Sequence, residues 1–346
     1  MKAFPVEKLR AWFLRERRDL PWRRNRSPYF VWLSEVMLQQ TQVSVVIDYF
    51  QRWIVRFPTM ASLARASWEE VIKMWEGLGY YSRARRLHAA AQIVLECHGG
   101  ELPPRREDLE KIPGLGPYTV GAILNFAFQQ KAPAVDGNTT RVLTRYFGIA
   151  EDIAKVAVRE RIWTLAEQLL PDNHPWEITE GLIELGACVC TPKPKCELCP
   201  LQGDCIAYRE GLQASLPHKT KASAVTLLER EVLIVYHGNE LLLKHCQRGQ
   251  VMADLYEFPY FEVQAGQEVQ HLLPLKLDFR QALKREDHSF TRYRARLYPS
   301  VWEALEKKAL ADYDWIPWSK IKELPFSSGH RRILQRLEMG HAPFAH

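Results

Sequence analysis

No stretch of this 346-residue chain approaches the roughly 18 consecutive apolar residues of a membrane-spanning helix, which excludes that class of protein. The opening Met1-Lys2-Ala3-Phe4-Pro5 lacks the apolar core of a secretory signal, so a soluble cytoplasmic protein is expected. There is no internal repeat and no low-complexity tract, which excludes solenoids and compositional disorder. Charge of one sign is scarce as well. The 47 Lys and Arg against 41 Asp and Glu leave +6, a modest attraction for polyanions that cannot separate a DNA-binding face from a solvated basic surface. Cysteine is sparse at seven, yet five lie between Cys188 and Cys205, a crowding that suits metal ligation in a reducing compartment better than a disulfide framework. What is there in quantity, 47% hydrophobic and 25% charged residues, is ordinary globular usage. At about 150 residues per domain the length suggests two domains.

From Val6 to about Cys205 the apolar residues recur at helical spacing. Ser67-Trp68-Glu69-Glu70 predicts a capping box opening a helix that turns Val71, Met74 and Trp75 inward. The next helix runs through Ala84, Leu87, Ala91 and Val94 and stops at Gly99-Gly100, where a positive φ is cheap. Residues 206–222 carry Gly211, Pro217 and the basic run His218-Lys219-Thr220-Lys221 with little periodicity, which predicts a linker. Beyond it, Val232–Tyr236 and Leu241–Leu243 flank His237-Gly238-Asn239, a hairpin signal. The expected organisation is an all-α domain over 1–205, a linker over 206–222 and an α+β domain over 223–346.

Three segments carry chemistry. Leu109 to Ala122, with Ile112-Pro113-Gly114-Leu115-Gly116-Pro117-Tyr118 at its centre, reads as two helical stretches joined by a glycine hairpin. Such a hairpin points backbone N–H groups and a helix N-terminus outward, ready for a phosphate without regard to base identity; an ordinary helix-loop-helix corner is the plain alternative. Cys190-x5-Cys196-x2-Cys199-x5-Cys205 sets four thiols in a short loop, suited to a [4Fe-4S] cluster or a tetrahedral zinc, and spacing alone does not choose. The third signal is a pair of acids. Glu35 sits in Trp32-Leu33-Ser34-Glu35-Val36-Met37-Leu38, where desolvation raises a carboxyl pKa and keeps a proton available for a leaving group. Asp136, in Val135-Asp136-Gly137-Asn138, precedes a predicted helix and reads equally as its N-cap.

These segments in this order, with Arg18-Asp19-Leu20-Pro21-Trp22-Arg23 and Gly77-Leu78-Gly79-Tyr80-Tyr81-Ser82-Arg83-Ala84-Arg85, resemble the helix-hairpin-helix DNA glycosylases with an iron-sulfur loop, and within them the MutY adenine glycosylases. The resemblance implies a multidomain protein, an all-α glycosylase domain followed by an α+β Nudix-like domain. It makes the metal [4Fe-4S], on Cys190, Cys196, Cys199 and Cys205. It makes Glu35 the acid that protonates adenine N7 and Asp136 the carboxylate that stabilises or captures the oxocarbenium-like sugar, with Tyr118 and Asn138 in support. It places Arg18, Leu20, Trp22, Val43 and Glu180 around an extruded adenine. Gln40, Thr41 and Tyr80 become a wedge entering the base stack, and Gly114 and Gly116 hold DNA. The implied partner is double-stranded DNA with adenine opposite 8-oxoguanine or guanine, bound by a monomer and without a membrane. Endonuclease III-type enzymes carry a lysine in the hairpin helix that forms a Schiff base with the sugar; Tyr118 stands there, and a phenol cannot make that imine, so a monofunctional glycosylase is expected.

Two features depart from the family pattern. The family usually leaves six residues between its first two cluster cysteines, whereas Cys190 leaves five and Cys188 seven, so Cys188 is an alternative ligand; the Cys-Thr-Pro context favours Cys190. In the second domain Met252-Ala253-Asp254-Leu255-Tyr256-Glu257-Phe258-Pro259 matches the Nudix-like module, with Tyr256 in place of the usual tryptophan. The family's Phe-Ser-His, a reader of 8-oxoguanine, stands here as Phe290-Thr291-Arg292, which keeps the hydroxyl, loses the imidazole and predicts a weakened opposite-base preference. No Nudix helix rich in paired glutamates follows, so this module is expected to bind and not to hydrolyse. The rival readings are a bifunctional pyrimidine glycosylase/lyase and a non-catalytic iron-sulfur DNA-binding protein.

Overall fold

The computed structural model of the chain describes residues 4–220, 226–247, 252–263, 269–290 and 293–339, with Ser289 and Phe290 described by their backbone only. Thr291 and Arg292, the expected 8-oxoguanine reader, lie outside the described residues. By its contacts the chain divides into two compact units, Met1–Arg65 with Arg86–Ala222, and Ala66–Arg85 with Ser223–His346. The grouping of 66–85 with the second unit differs from a simple division near residue 205, because spatial contacts, and not chain order, assign that segment. Among the described residues no helix is long and apolar enough to cross a membrane.

The described part of the first unit is all helix and loop. Its central helix, Pro28–Leu38, is apolar on every side, with Val31 to Met37 all buried, and a helix of that pattern must be surrounded by others. It starts cleanly because Ser27 accepts from the Phe30 amide (3.3 Å) and Pro28 occupies the first turn, where its missing N–H costs nothing. A second core joins Leu9 and Phe13 of Val6–Glu16, Val142 and Leu143 of Gly137–Phe147, and Ile178, Leu182 and Leu185 of Pro175–Cys188. The close approach of the last two helices requires glycine: a Cβ on Gly186 would lie 2.6 Å from the Cβ of Asn138. Residues 206–222, expected as a linker, are packed in their described part. A short helix spans Ile206–Arg209, Ala207 and Leu216 are buried, Arg145 Nε donates to the Leu216 carbonyl (2.9 Å) and the Ile153 amide to the His218 carbonyl (3.0 Å). This segment is anchored largely by backbone carbonyls, and that leaves little periodic signal.

Among the described residues the second unit contains an eight-stranded sheet: β1 (Thr226–His237), β2 (Glu240–His245), β3 (Tyr256–Glu257), β4 (Tyr260–Glu262), β5 (Leu277–Ala282), β6 (Glu286–Phe290), β7 (Tyr293–Ala304) and β8 (Asp314–Pro317). The path β3-β2-β1-β7-β5 forms its spine, and the long β1·β7 pair is parallel, Thr226 opposite Tyr293 through Tyr236 opposite Glu303. The unbroken run Val232–Val235 is explained by burial on both faces: Val232 and Ile234 join one core, with Ile333 and Leu334 of the helix Ser328–Met339, while Leu233 and Val235 join another. The expected hairpin is β1–β2, registered Tyr236 with Leu241 and His237 with Glu240, and Gly238 turns it at φ +57°. The expected capping box is present, the Ser67 side chain accepting from Glu70 N and the Glu70 side chain from Ser67 N. In that helix Ile72, and not Met74, joins Val71 and Trp75 in the buried set.

Candidate active site

A cavity of about 430 Å³ opens in the first unit. Its lining includes Glu35, Tyr118, Asp136 and Asn138 together with Arg18, Leu20, Trp22, Val43, Glu180, Gln40 and Thr41, residues that lie far apart in the chain. Glu35 enters from the apolar Pro28–Leu38 helix and is 8% exposed. Burial, reinforced by the nearby Asp136 and Glu180 charges, pushes its carboxyl up to about 7 against the counter-effect of a hydrogen bond from Tyr118. The Tyr118 hydroxyl donates to Glu35 Oε2 at 2.7 Å, and burial beside Glu35 raises that phenol well above its ordinary value, so it remains a donor. Tyr118 reaches the cavity because Gly114 (φ +91°) turns the chain after Arg106–Leu109 and Gly116-Pro117 opens the helix Pro117–Ala122.

Asp136 is indeed the N-cap of Gly137–Phe147, its Oδ1 accepting from the Thr139 amide at 2.7 Å, while Oδ2 accepts from Asn138 Nδ2 at 2.7 Å. The cap and the cavity carboxylate are thus one residue with two uses. Asn138 is itself held: Arg141 Nη2 donates to Asn138 Oδ1 (2.8 Å) and to the Gly186 carbonyl (2.7 Å), and Arg141 Nε to the Cys190 carbonyl (2.7 Å).

One wall shows a second charged network. Glu180, Ile183, Glu184 and Ala187 of Pro175–Cys188 line the cavity at helical spacing. Arg18 forks onto Glu184 (Nε to Oε1, 2.7 Å; Nη2 to Oε2, 3.0 Å), Arg23 donates to Glu184 Oε2 (2.8 Å), and Arg26 reaches Glu180 Oε2 (2.8 Å). Burial alone would raise Glu184, but the two guanidinium groups outweigh it and hold the carboxyl down at about 2. Sequence reasoning missed Arg23, Phe126 and Glu184. The signal for Glu184 was present, since it lies one helical turn after Glu180. Gly114, Gly116 and Tyr80 do not line this cavity, and Tyr80 belongs to the other unit.

Cys190, Cys196, Cys199 and Cys205 surround a separate small cavity of about 30 Å³, with Arg145, Pro194 and Tyr208 in its wall. Cys188 is not in that wall; its Sγ faces Glu184 Oε1 at 3.8 Å. Arg145 ties the loop down, donating to the Thr191 carbonyl (2.6 Å) and to Cys190 Sγ (3.4 Å). Burial pushes the Cys199 thiol up to about 12 and raises Cys196 and Cys205, with the neighbouring cysteines adding to the shift. Among the described residues no three His, Cys, Asp or Glu side chains converge on a single ion.

Residues 33–168 match the HhH-GPD superfamily of base excision DNA repair proteins, and residues 231–336 match a NUDIX domain. An adenine DNA glycosylase of Buchnera aphidicola (subsp. Schizaphis graminum) is 35% identical over 247 residues, which cover 71% of each chain. The chain belongs to the adenine DNA glycosylase family. A mouse member of this adenine DNA glycosylase family is 44% identical over 236 residues, 64% of this chain; the match spans less than half (46%) of the mouse protein. Among solved structures, a thermostable thymine-DNA glycosylase is similar at TM-score 0.55 and 31% identity, over 59% of this chain and 95% of that one. An endonuclease III in a trapped covalent complex with DNA, at TM-score 0.51 and 22% identity over 60% of this chain and 95% of that one, shares the helical fold.

Proposed function

We propose that the protein is a monofunctional adenine DNA glycosylase, removing adenine opposite 8-oxoguanine or guanine by hydrolysis of its N-glycosidic bond. The observation that carries this reading is the buried, hydrogen-bonded Glu35–Tyr118 pair facing the same cavity as the hydrogen-bonded Asp136 carboxyl group. Cleavage needs positive charge tolerated on the sugar and negative charge neutralised on the departing base. Glu35, protonated below about pH 7, gives its proton to the adenine at N7 as the C1′–N9 bond breaks and its electron pair leaves with the base. Asp136, anchored through both oxygens, faces the sugar cation until water adds to C1′ and its released proton passes to the now ionised Glu35. Arg18, Leu20, Trp22, Val43 and Glu180 hold the extruded purine, with Glu180 fixed by Arg26. The Gly114–Gly116 hairpin takes a phosphate, and Gln40, Thr41 and Tyr80 enter the stack; Gln40 (φ +56°) and Tyr80 (φ +49°) both sit at left-handed turns. Flipping costs a few kcal/mol of unstacking, least at a mismatch.

Cys190, Cys196, Cys199 and Cys205 hold a [4Fe-4S] cluster in this reading, which when bound cross-links the loop and supplies positive charge to the four thiolates. The partner is mismatched double-stranded DNA.

Incubating cluster-loaded protein with a duplex carrying one adenine opposite 8-oxoguanine, followed by alkali, tests the reading: wild type yields abasic strand breaks and Glu35→Gln does not. Intact adenine with the wild type overturns it. The likeness to a thymine-DNA glycosylase supports a second reading, pyrimidine release, which the same assay with thymine opposite guanine distinguishes.

A further inference from the structure

Residues Ala66–Arg85 form one compact unit with Ser223–His346, and they carry Tyr80. Three of the four residues from Gly77 to Tyr80 have left-handed backbone: Gly77 at φ +91°, Gly79 at +73° and Tyr80 at +49°. A non-glycine residue stays there only when its surroundings over-determine it. Within the segment, Trp75 Nε1 and Arg83 Nη2 donate to the Gly79 carbonyl at 3.0 and 3.1 Å, and the Arg83 guanidinium lies 5.4 Å from the Tyr80 ring centroid. Further restraints come from beyond residue 223. Glu76 Oε1 accepts from the Phe326 amide at 3.0 Å and from Arg331 Nε. At the other end of the loop, Tyr81 donates from Oη to the Phe326 carbonyl (3.3 Å) and accepts from the Gly77 amide (3.2 Å). Lys73 Nζ bridges Glu76 Oε2 (2.8 Å) and the Lys322 carbonyl (2.6 Å). The backbone of a single residue, Phe326, therefore holds both ends of the loop that presents Tyr80.

The Glu76 side chain is 12% exposed and that of Arg331 18%, so this ion pair is largely out of water, where removing one partner costs more than at an exposed surface. We propose that Glu76 is a positioning residue: clamped by Phe326 and Arg331, it fixes the backbone from which Tyr80 enters DNA, so that the C-terminal half of the chain sets the wedge. This rests on the wedge role of Tyr80 in the proposed function. It requires the C-terminal half to contribute to wedging as well as to reading the opposite base.

The test compares wild type, Glu76→Gln, Tyr80→Ala and the double variant as full-length, cluster-loaded protein. Amide hydrogen exchange over residues 77–81, read without DNA, should rise roughly ten-fold in Glu76→Gln, the factor expected for one charge-assisted hydrogen bond. Affinity for a duplex with adenine opposite 8-oxoguanine should fall by about the same factor, with the single-turnover rate at saturating enzyme within about two-fold of wild type. In the Tyr80→Ala background Glu76→Gln should add no further loss. Arg331→Met should reproduce both changes, and it reports on the clamp even if Glu76→Gln folds poorly. Unchanged exchange in either variant, or additive affinity losses, overturns the proposal. Because exchange is read without substrate, a wild type that releases no adenine defeats the proposed function separately.

Discussion

Replacing Tyr118 by phenylalanine removes one hydrogen bond from Glu35 and leaves the ring in place. The bond is 2.7 Å long and lowers the Glu35 pKa, so its loss raises that pKa further. A hydrogen bond to a charged acceptor contributes about 1.5 to 3 kcal/mol, and only its preference for the ionised over the neutral carboxyl counts, on the order of half. At about 1.4 kcal/mol per unit this moves the titration up by roughly one unit. Glu35 acts as an acid, so kcat/KM should fall as pH rises through about 7 in the wild type. In Tyr118→Phe the same fall should come roughly one unit later. The assay is single-turnover adenine release at sub-saturating enzyme across pH 5 to 9. A descending limb that stays in place or moves to lower pH refutes the reasoning. Stability gives an independent check. The folded pKa of Glu35 is raised from 4.5 to about 7, so the folded state binds the extra proton; the stabilisation is complete below about 4.5 and is lost as pH rises through 7. That shift is worth about 3 kcal/mol, and the stability of wild type relative to Glu35→Gln should decline by that order between pH 4 and 8 in urea titrations.

Cys190→Ser should lose iron on purification while Cys188→Ser keeps it, as measured by iron content and visible absorbance; the reverse result would reassign the first ligand. Borohydride should not trap wild-type protein efficiently on substrate DNA, because Tyr118 cannot form an imine; efficient trapping would point to a lyase. Gly186→Ala places a methyl group 2.6 Å from the Asn138 Cβ and 2.9 Å from its Cα and carbonyl oxygen. It should cost about 1 to 3 kcal/mol in calorimetry. Adenine release should fall with it as Asn138 shifts from Asp136, and wild-type melting and rate would contradict so tight an approach.

Much of the local structure was legible because it is decided within a turn or two of chain. Ser67 and Glu70 close their capping box from adjacent positions, Gly238 turns the β1–β2 hairpin, and Gly116-Pro117 starts the helix that carries Tyr118. The apolar run around Glu35 likewise announces a buried helix, and a carboxyl inside one has its pKa raised by desolvation wherever the helix packs.

Other features were settled only by contacts between distant segments. Cys188 and Cys190 are two residues apart, yet the helix Pro175–Cys188 turns one thiol toward Glu184 while the chain beyond it carries the other into the cysteine cavity. Arg18 and Arg23 meet Glu184 across more than 150 residues, Arg145 reaches the carbonyl of Leu216, and Glu76 finds Phe326 and Arg331. Composition and periodicity determine which surfaces are apolar and where helices begin and end. Which buried charges neutralise one another depends on three-dimensional proximity, because desolvation makes each such pairing obligatory without specifying, in the order of residues, where the partner will come from.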